Sequence, residues 1–128
     1  MKIKELRIGN YLHDRNGNLC KVIELREDGI YAHAIRGAIT GLPNKPIELT
    51  EEWLFKFGFT QDNDSWYFSL DFNPNYETLK IFGLTSGGNF NGMWGIAGMS
   101  LLCKKIEYVH QLQNLFYALT GEELTIKS

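Results

Sequence analysis

Cysteine, histidine and proline are scarce in this chain, with two, three and three residues respectively among 128. Cys20 and Cys103, far apart in sequence, leave one disulfide open but give no sign of it, and in a cytoplasmic protein they read as two reduced thiols. No close ligand pair of the C-x-x-C or H-x-x-x-H kind occurs, so nothing announces a zinc site. Basic charge is also short: 13 Lys and Arg stand against 15 Asp and Glu, for a net charge of -2. That balance excludes a domain-wide positive field and counts against non-specific nucleic-acid binding, though a local patch stays open. Long apolar runs are missing as well. Nothing approaches the roughly 18 residues of a membrane span, and the longest weakly polar stretch, residues 93–103, is broken by Gly95 and Gly98. No apolar segment of signal-peptide length follows Met1-Lys2-Ile3-Lys4. The expectation is a soluble, cytoplasmic protein with no membrane partner and no cofactor.

Aromatic residues and glycine are abundant: three Trp, six Tyr, eight Phe and 13 Gly. Aromatics favour sheets and bury large areas. Residues 1–49 predict short strands over 10–13, 19–25 and 30–35, joined by the turns Asp14-Arg15-Asn16-Gly17 and Glu27-Asp28-Gly29. Pro46 to Leu49 reads as a further strand. Close strand spacing predicts a small β barrel or a bent sheet. Thr50 can cap a short helix whose first turn holds Glu51 and Glu52 and whose apolar side is Trp53, Leu54 and Phe57, with Gly58 as its stop. This helix reads as the hinge between two lobes. Beyond it, Trp66, Phe68 and Leu70 alternate with Tyr67 and Ser69 as in a strand with one buried face. Strands over 76–84 and 99–105 complete an antiparallel sheet around the glycine-rich residues 85–98.

The last quarter has the plainest pattern. At about 100° per residue, Tyr108, Val109, Leu112, Leu115, Phe116 and Leu119 share one side of a helix. Glu107, His110, Gln111, Asn114 and Tyr117 share the other. Thr120-Gly121 ends the helix through the left-handed conformation that glycine accepts. Glu122 to Lys127 then reads as a short strand or tail.

Three segments resemble one family. They are Leu6-Arg7-Ile8-Gly9-Asn10-Tyr11; Pro46-Ile47-Glu48-Leu49-Thr50-Glu51-Glu52-Trp53-Leu54 with Phe57-Gly58-Phe59; and Val109-His110-Gln111-Leu112-Gln113-Asn114-Leu115-Phe116-Tyr117-Ala118-Leu119-Thr120-Gly121-Glu122-Glu123-Leu124. In this order they look like a family of small uncharacterised proteins of Bacteroides-type bacterial genomes, phages and mobile elements. The resemblance implies an accessory role and supplies no catalytic residues. Residues 62–104 match no part of that pattern. The run Ile8-Gly9-Asn10-Tyr11, Asp14, Gly17, Lys21-Val22 separately resembles a Src-homology or KOW-type small barrel.

Several residues are candidates for chemistry or contact. His110, Asn114 and Tyr117, at i, i+4 and i+7, make a line of donors and acceptors along the helix. That line reads either as a recognition strip or as polar residues tying the helix to a neighbouring loop. Met93 and Trp94, with Phe90 and Ile96, read as structural residues of a glycine-permitted β region or as an adhesive patch for a second subunit. His13, Cys20 and His33, or Cys103 with His110, invite a thiol or metal reading that needs spatial proximity and an orienting third group. Thr85-Ser86-Gly87-Gly88 lacks the lysine of a phosphate loop. Among carboxylates, Asp62 and Asp64 suit a turn. Lys21, Arg26, Arg36 and Lys45 with Tyr11 and Tyr31 could line a single-strand-binding face of the first lobe.

The sequence thus predicts an α+β protein. A small N-terminal barrel or bent sheet over 1–49 leads to a second lobe, 50–128, in which an antiparallel sheet is covered by the C-terminal helix. The leading functional expectation is a non-enzymatic binding or accessory protein with a protein partner or self-association. A small Cys/His enzyme and an oligomer-forming structural subunit are the alternatives.

Overall fold

The computed structural model describes residues 6–14, 16–26, 29–34, 45–61, 67–71, 78–86, 89–96 and 105–126. The chain is α+β and divides into two compact units. The first takes residues 1–48 and 108–123, the second residues 49–107 and 124–128.

The first unit carries an antiparallel sheet in the order β1-β2-β3, from β1 (Tyr11–His13), β2 (Leu19–Arg26) and β3 (Gly29–Ala34). Tyr11 sits opposite Lys21 and Leu12 opposite Cys20, so Leu12, Cys20 and Val22 share one face. Leu6, Leu12 and Val22 form a buried cluster on it. Gly17, at φ 84°, makes the turn into β2 that the Asn-Gly pair predicts. Past the strand edge, His13 bridges Lys45. The described residues do not support the barrel expectation. The described strands form an open three-stranded sheet, and β1, three residues long, is too short to help close a barrel without further strands. The predicted strand at 46–49 is replaced by single bridges at Lys45 and Glu48.

The C-terminal helix α2 (Val109–Thr120) belongs to this first unit, where it packs on β1. This corrects the expected placement over the second sheet. Gly121 adopts φ 75° at its end, as the stop signal predicts. At its start, Gln111 Oε1 accepts from Tyr108 N at 3.0 Å, and Val109 N donates to Ile47 O at 2.8 Å. Two otherwise unfilled amides of the first turn are thereby satisfied. Residues 122–126 are not a strand, and Leu124 is buried.

The second unit holds α1 (Glu51–Lys56) and a sheet in the order β4-β5-β6-β7, from β4 (Thr60–Gln61), β5 (Tyr67–Asp71), β6 (Thr78–Ser86) and β7 (Asn89–Ile96). Thr50 caps α1 by accepting from Trp53 N at 3.4 Å. Trp53, Leu54 and Phe57 are buried, as their spacing predicts. The helix falls within this unit. Phe68, Ile81 and Ile96 fall in one register row and are all buried. Each such side chain contributes roughly 1.5–3 kcal/mol on full burial. Residues 89–96 of the glycine-rich segment are a strand, β7, and its register on β6 shifts between Gly83 and Thr85. Gly92, at φ 88°, absorbs that irregularity. Asp62, Asp64, Trp66 and all but Lys105 of the strand predicted at 99–105 lie outside the described residues.

Candidate functional site

Two places gather the polar and aromatic residues that sequence reasoning singles out. The first is the junction of α2 with residues 7–11. Gly9, at φ 100°, lets the chain turn there, and Asn10 Oδ1 accepts from Arg7 N at 2.6 Å. The turn then joins the sheet through Gly9 N to Val22 O and Val22 N to Asn10 O, each 2.9 Å. From the helix, buried Gln113 reaches in with both ends of its amide. Its Oε1 accepts from Tyr11 N at 2.9 Å and its Nε2 donates to Gly9 O at 3.0 Å. A side-chain amide thus completes the main-chain pairing that a neighbouring strand would otherwise supply. One position along, Asn114 Oδ1 accepts from Asn10 Nδ2 at 2.9 Å and from Arg7 Nη1 at 3.1 Å. Arg7 Nη2 is bonded to the Glu123 carboxylate, and its guanidinium lies 3.9 Å from the centre of the Tyr117 ring.

Asn114 and Tyr117 therefore hold the N-terminal turn; they are the loop-tying residues of the two readings the helix pattern allows. His110 departs from the expected wet face: it is fully buried, its ring stacked on Tyr108 at 5.8 Å and 9°. The buried arc of α2 is Val109, His110, Leu112, Gln113 and Phe116, whereas Leu119 is 44% exposed. The arc is rotated from the purely apolar stripe because Gln113 finds main-chain partners, so its burial is compensated.

The hairpin turn is similarly self-contained. Buried Asp14 accepts from Asn16 N, Asn18 N and Asn18 Nδ2, each at 2.9 Å. Cys20 is buried behind it, Sγ 3.4 Å from Asn18 O. Burial, and then the negative charge of Asp14, push the Cys20 thiol above its ordinary value, partly offset by a backbone hydrogen bond. A thiol held protonated is a poor nucleophile. Among the described residues no group of three His, Cys, Asp or Glu gathers in metal-binding range. Cys103 lies outside the described residues, and of His33 only the strand position is described.

The second place is the sheet of the second unit. Trp94 is fully buried: its Nε1 donates to Leu49 O at 2.9 Å, and it meets Phe68 edge-on at 5.7 Å. Ile96 is buried and Met93 half-buried. The adhesive Met93–Trp94 patch is corrected accordingly, since the rings of β7 face inward to the core. The opposite face of the sheet is different. Its central row, Tyr67, Phe82 and Gly95, runs across β5, β6 and β7. Tyr67 is 51% exposed, and its ring lies 5.7 Å from that of Phe82. Phe82 lies over Gly95, where an added Cβ would meet Phe82 Cζ at 2.7 Å. The next row is Thr60, Ser69 and Lys80, with Lys80 exposed. The alternation in 66–70 already assigns Tyr67 to the outer face; its pairing with Phe82 depends on a register that one strand cannot show.

The first unit's aromatic–basic reading loses Tyr11, which is buried. Arg36 lies outside the described residues, and of Arg26 and Tyr31 only the strand positions are described. Among the described residues no helix is long and apolar enough to cross a membrane. Comparison with family models, curated proteins and solved structures finds no match for this chain.

Proposed function

We propose that this chain is a non-catalytic binding or accessory protein, in the sense its resemblance to phage and mobile-element proteins implies, and that it makes contact through the outer face of its second sheet. One observation carries the reading: a solvent-facing aromatic row, Tyr67 beside Phe82, on a sheet whose other face is packed with buried side chains. An exposed tyrosine backed by a partly buried phenylalanine on a sheet offers contact area at small entropic cost. The polar side chains of α2 support the same reading from the other direction, because Gln113, Asn114 and Tyr117 are engaged in holding residues 7–11.

The test is retention from host cells. Tagged wild type and the Tyr67→Ala variant are recovered in parallel, and the bound protein and nucleic acid are compared. A species retained by wild type and lost by the variant supports the proposal. Equal retention by a folded Tyr67→Ala protein, or none by either, defeats it.

A further inference from the structure

The outer face of the second sheet also indicates what class of ligand it takes. Two rows define it. The aromatic row is Tyr67, Phe82 and Gly95; the polar row is Thr60, Ser69 and Lys80. Beyond β7, the antiparallel bridge of Trp94 to Ile106 places the preceding residue, Lys105, next to Gly95 in the aromatic row, and Lys105 is exposed. At ordinary sheet spacings, Lys80 stands about 7 Å along the strand from Phe82, and Lys105 about 10 Å across two strands. Asp71, at the far end of β5, and Glu107, two residues beyond Lys105, are described carboxylates on the same side. A chain that is acidic as a whole therefore sets Lys80 and Lys105 beside an exposed tyrosine, Tyr67, and the partly buried Phe82.

Gly95 matters to the shape. Without a Cβ there, the Phe82 ring lies down on the sheet, and Tyr67 leans against it at an interplanar angle of 33°. Tyr67, 51% exposed, is the ring of this row that solvent reaches most. An exposed ring suits a flat partner that stacks, and lysines about 7–10 Å away suit an anion linked to that partner. Bases joined by phosphates satisfy both requirements. In a duplex the ring faces are covered by stacking, so the ligand must be single-stranded.

We infer that this face binds single-stranded nucleic acid without base specificity, stacking bases on Tyr67 and Phe82 and placing phosphates near Lys80 and Lys105. The inference rests on the proposed binding role of the same face and narrows it to one kind of partner.

The experiment uses the full chain and fluorescence anisotropy, with short labelled oligothymidylate and oligouridylate as probes and a mixed-sequence duplex of equal length alongside. Either single strand should bind, and the duplex should bind more weakly. Tyr67→Ala should weaken single-strand binding about tenfold or more, with thermal unfolding unchanged. Lys80→Gln should flatten the slope of log affinity against log salt by about 0.7, the loss of one phosphate contact on a single strand. Failure of both single strands to bind, a preference for duplex, or full affinity in folded Tyr67→Ala overturns the inference. If the oligonucleotides fail while a protein is retained from host cells in a Tyr67-dependent way, the nucleic-acid inference falls and the binding role stands. If both fail, both fall.

Discussion

Gln113 is the residue whose replacement tests the reading of α2 most directly. A glutamine on the outer side of a helix can be changed to leucine at almost no cost. Here its amide is buried and answers two buried main-chain groups, Tyr11 N and Gly9 O. Gln113→Leu keeps the volume and removes both bonds. An unsatisfied buried polar group costs about 1–3 kcal/mol. Two such groups, less the transfer gain of leucine, leave a net loss of about 3 kcal/mol. At this chain length that lowers the melting temperature by about 10 °C, read by circular dichroism. Gln113→Glu sharpens the test. A protonated glutamic acid can still accept from Tyr11 N and donate to Gly9 O, whereas its carboxylate would set negative oxygen against that carbonyl. The folded state therefore holds this pKa above the unfolded value of about 4.3. Below that value both states are protonated and the variant keeps its stability. As pH rises, the unfolded state releases its proton first, and stability falls by about 1.4 kcal/mol per unit until the folded pKa is reached. A leucine variant that melts with wild type, or a glutamate variant whose deficit does not grow between pH 4 and 7 (about 1.4 kcal/mol per unit being expected), would refute the placement of α2 on residues 7–11.

Other outcomes follow from single contacts. Gly95→Ala should cost about 1–3 kcal/mol by overpacking against Phe82, and a Phe82→Leu background should recover most of it in denaturant titrations. Cys20 should react with iodoacetamide far more slowly in the folded protein than after unfolding, because burial keeps its thiol protonated. Its raised pKa adds stability that is complete below the unfolded value and lost as pH climbs through the folded one, so a Cys20→Val variant should show a shallower alkaline decline in denaturant midpoint above 9.0. Arg7→Lys should cost about 1 kcal/mol in thermal unfolding, since one ammonium cannot serve Asn114 and Glu123 while stacking on Tyr117.

The elements that were legible in the sequence are those defined by local chemistry. Thr50 followed by two glutamates and then Trp53, Leu54 and Phe57 specifies α1, because cap, dipole and apolar side lie within about two turns of each other. Gly17 and Gly121 announce their positive φ through the residues beside them. The Tyr67–Phe68 alternation gives β5 two faces of opposite burial. β7 is harder to read because glycine weakens a strand in isolation. Its Gly92 and Gly95 make sense only against the register shift on β6 and the Phe82 ring. The misplacement of α2 has the same origin. Chain order puts the helix after the second sheet, so the nearest strands in sequence look like its support.

The helix nevertheless names its true support in its polar residues. A wheel scored by hydropathy alone assigns Gln113 and Asn114 no role in packing, because it counts amides as solvent-seeking. Buried amides are stable where they meet unpaired main-chain groups, and a turn with a positive-φ glycine exposes such groups. Gly9 and Asn10 form that kind of turn; the partners of Gln113 are Gly9 O and Tyr11 N, and that of Asn114 is Asn10 Nδ2. The Leu6–Tyr11 segment and the α2 segment are joined by these bonds across about a hundred residues, the Asn10–Asn114 separation being 104. Two separated motifs rich in amides and glycine are thus complementary halves of one packing unit. A single substitution on either side, Gln113→Leu or a Cβ at Gly9 pressed to 3.2 Å from Glu123 Oε2, should loosen the same joint.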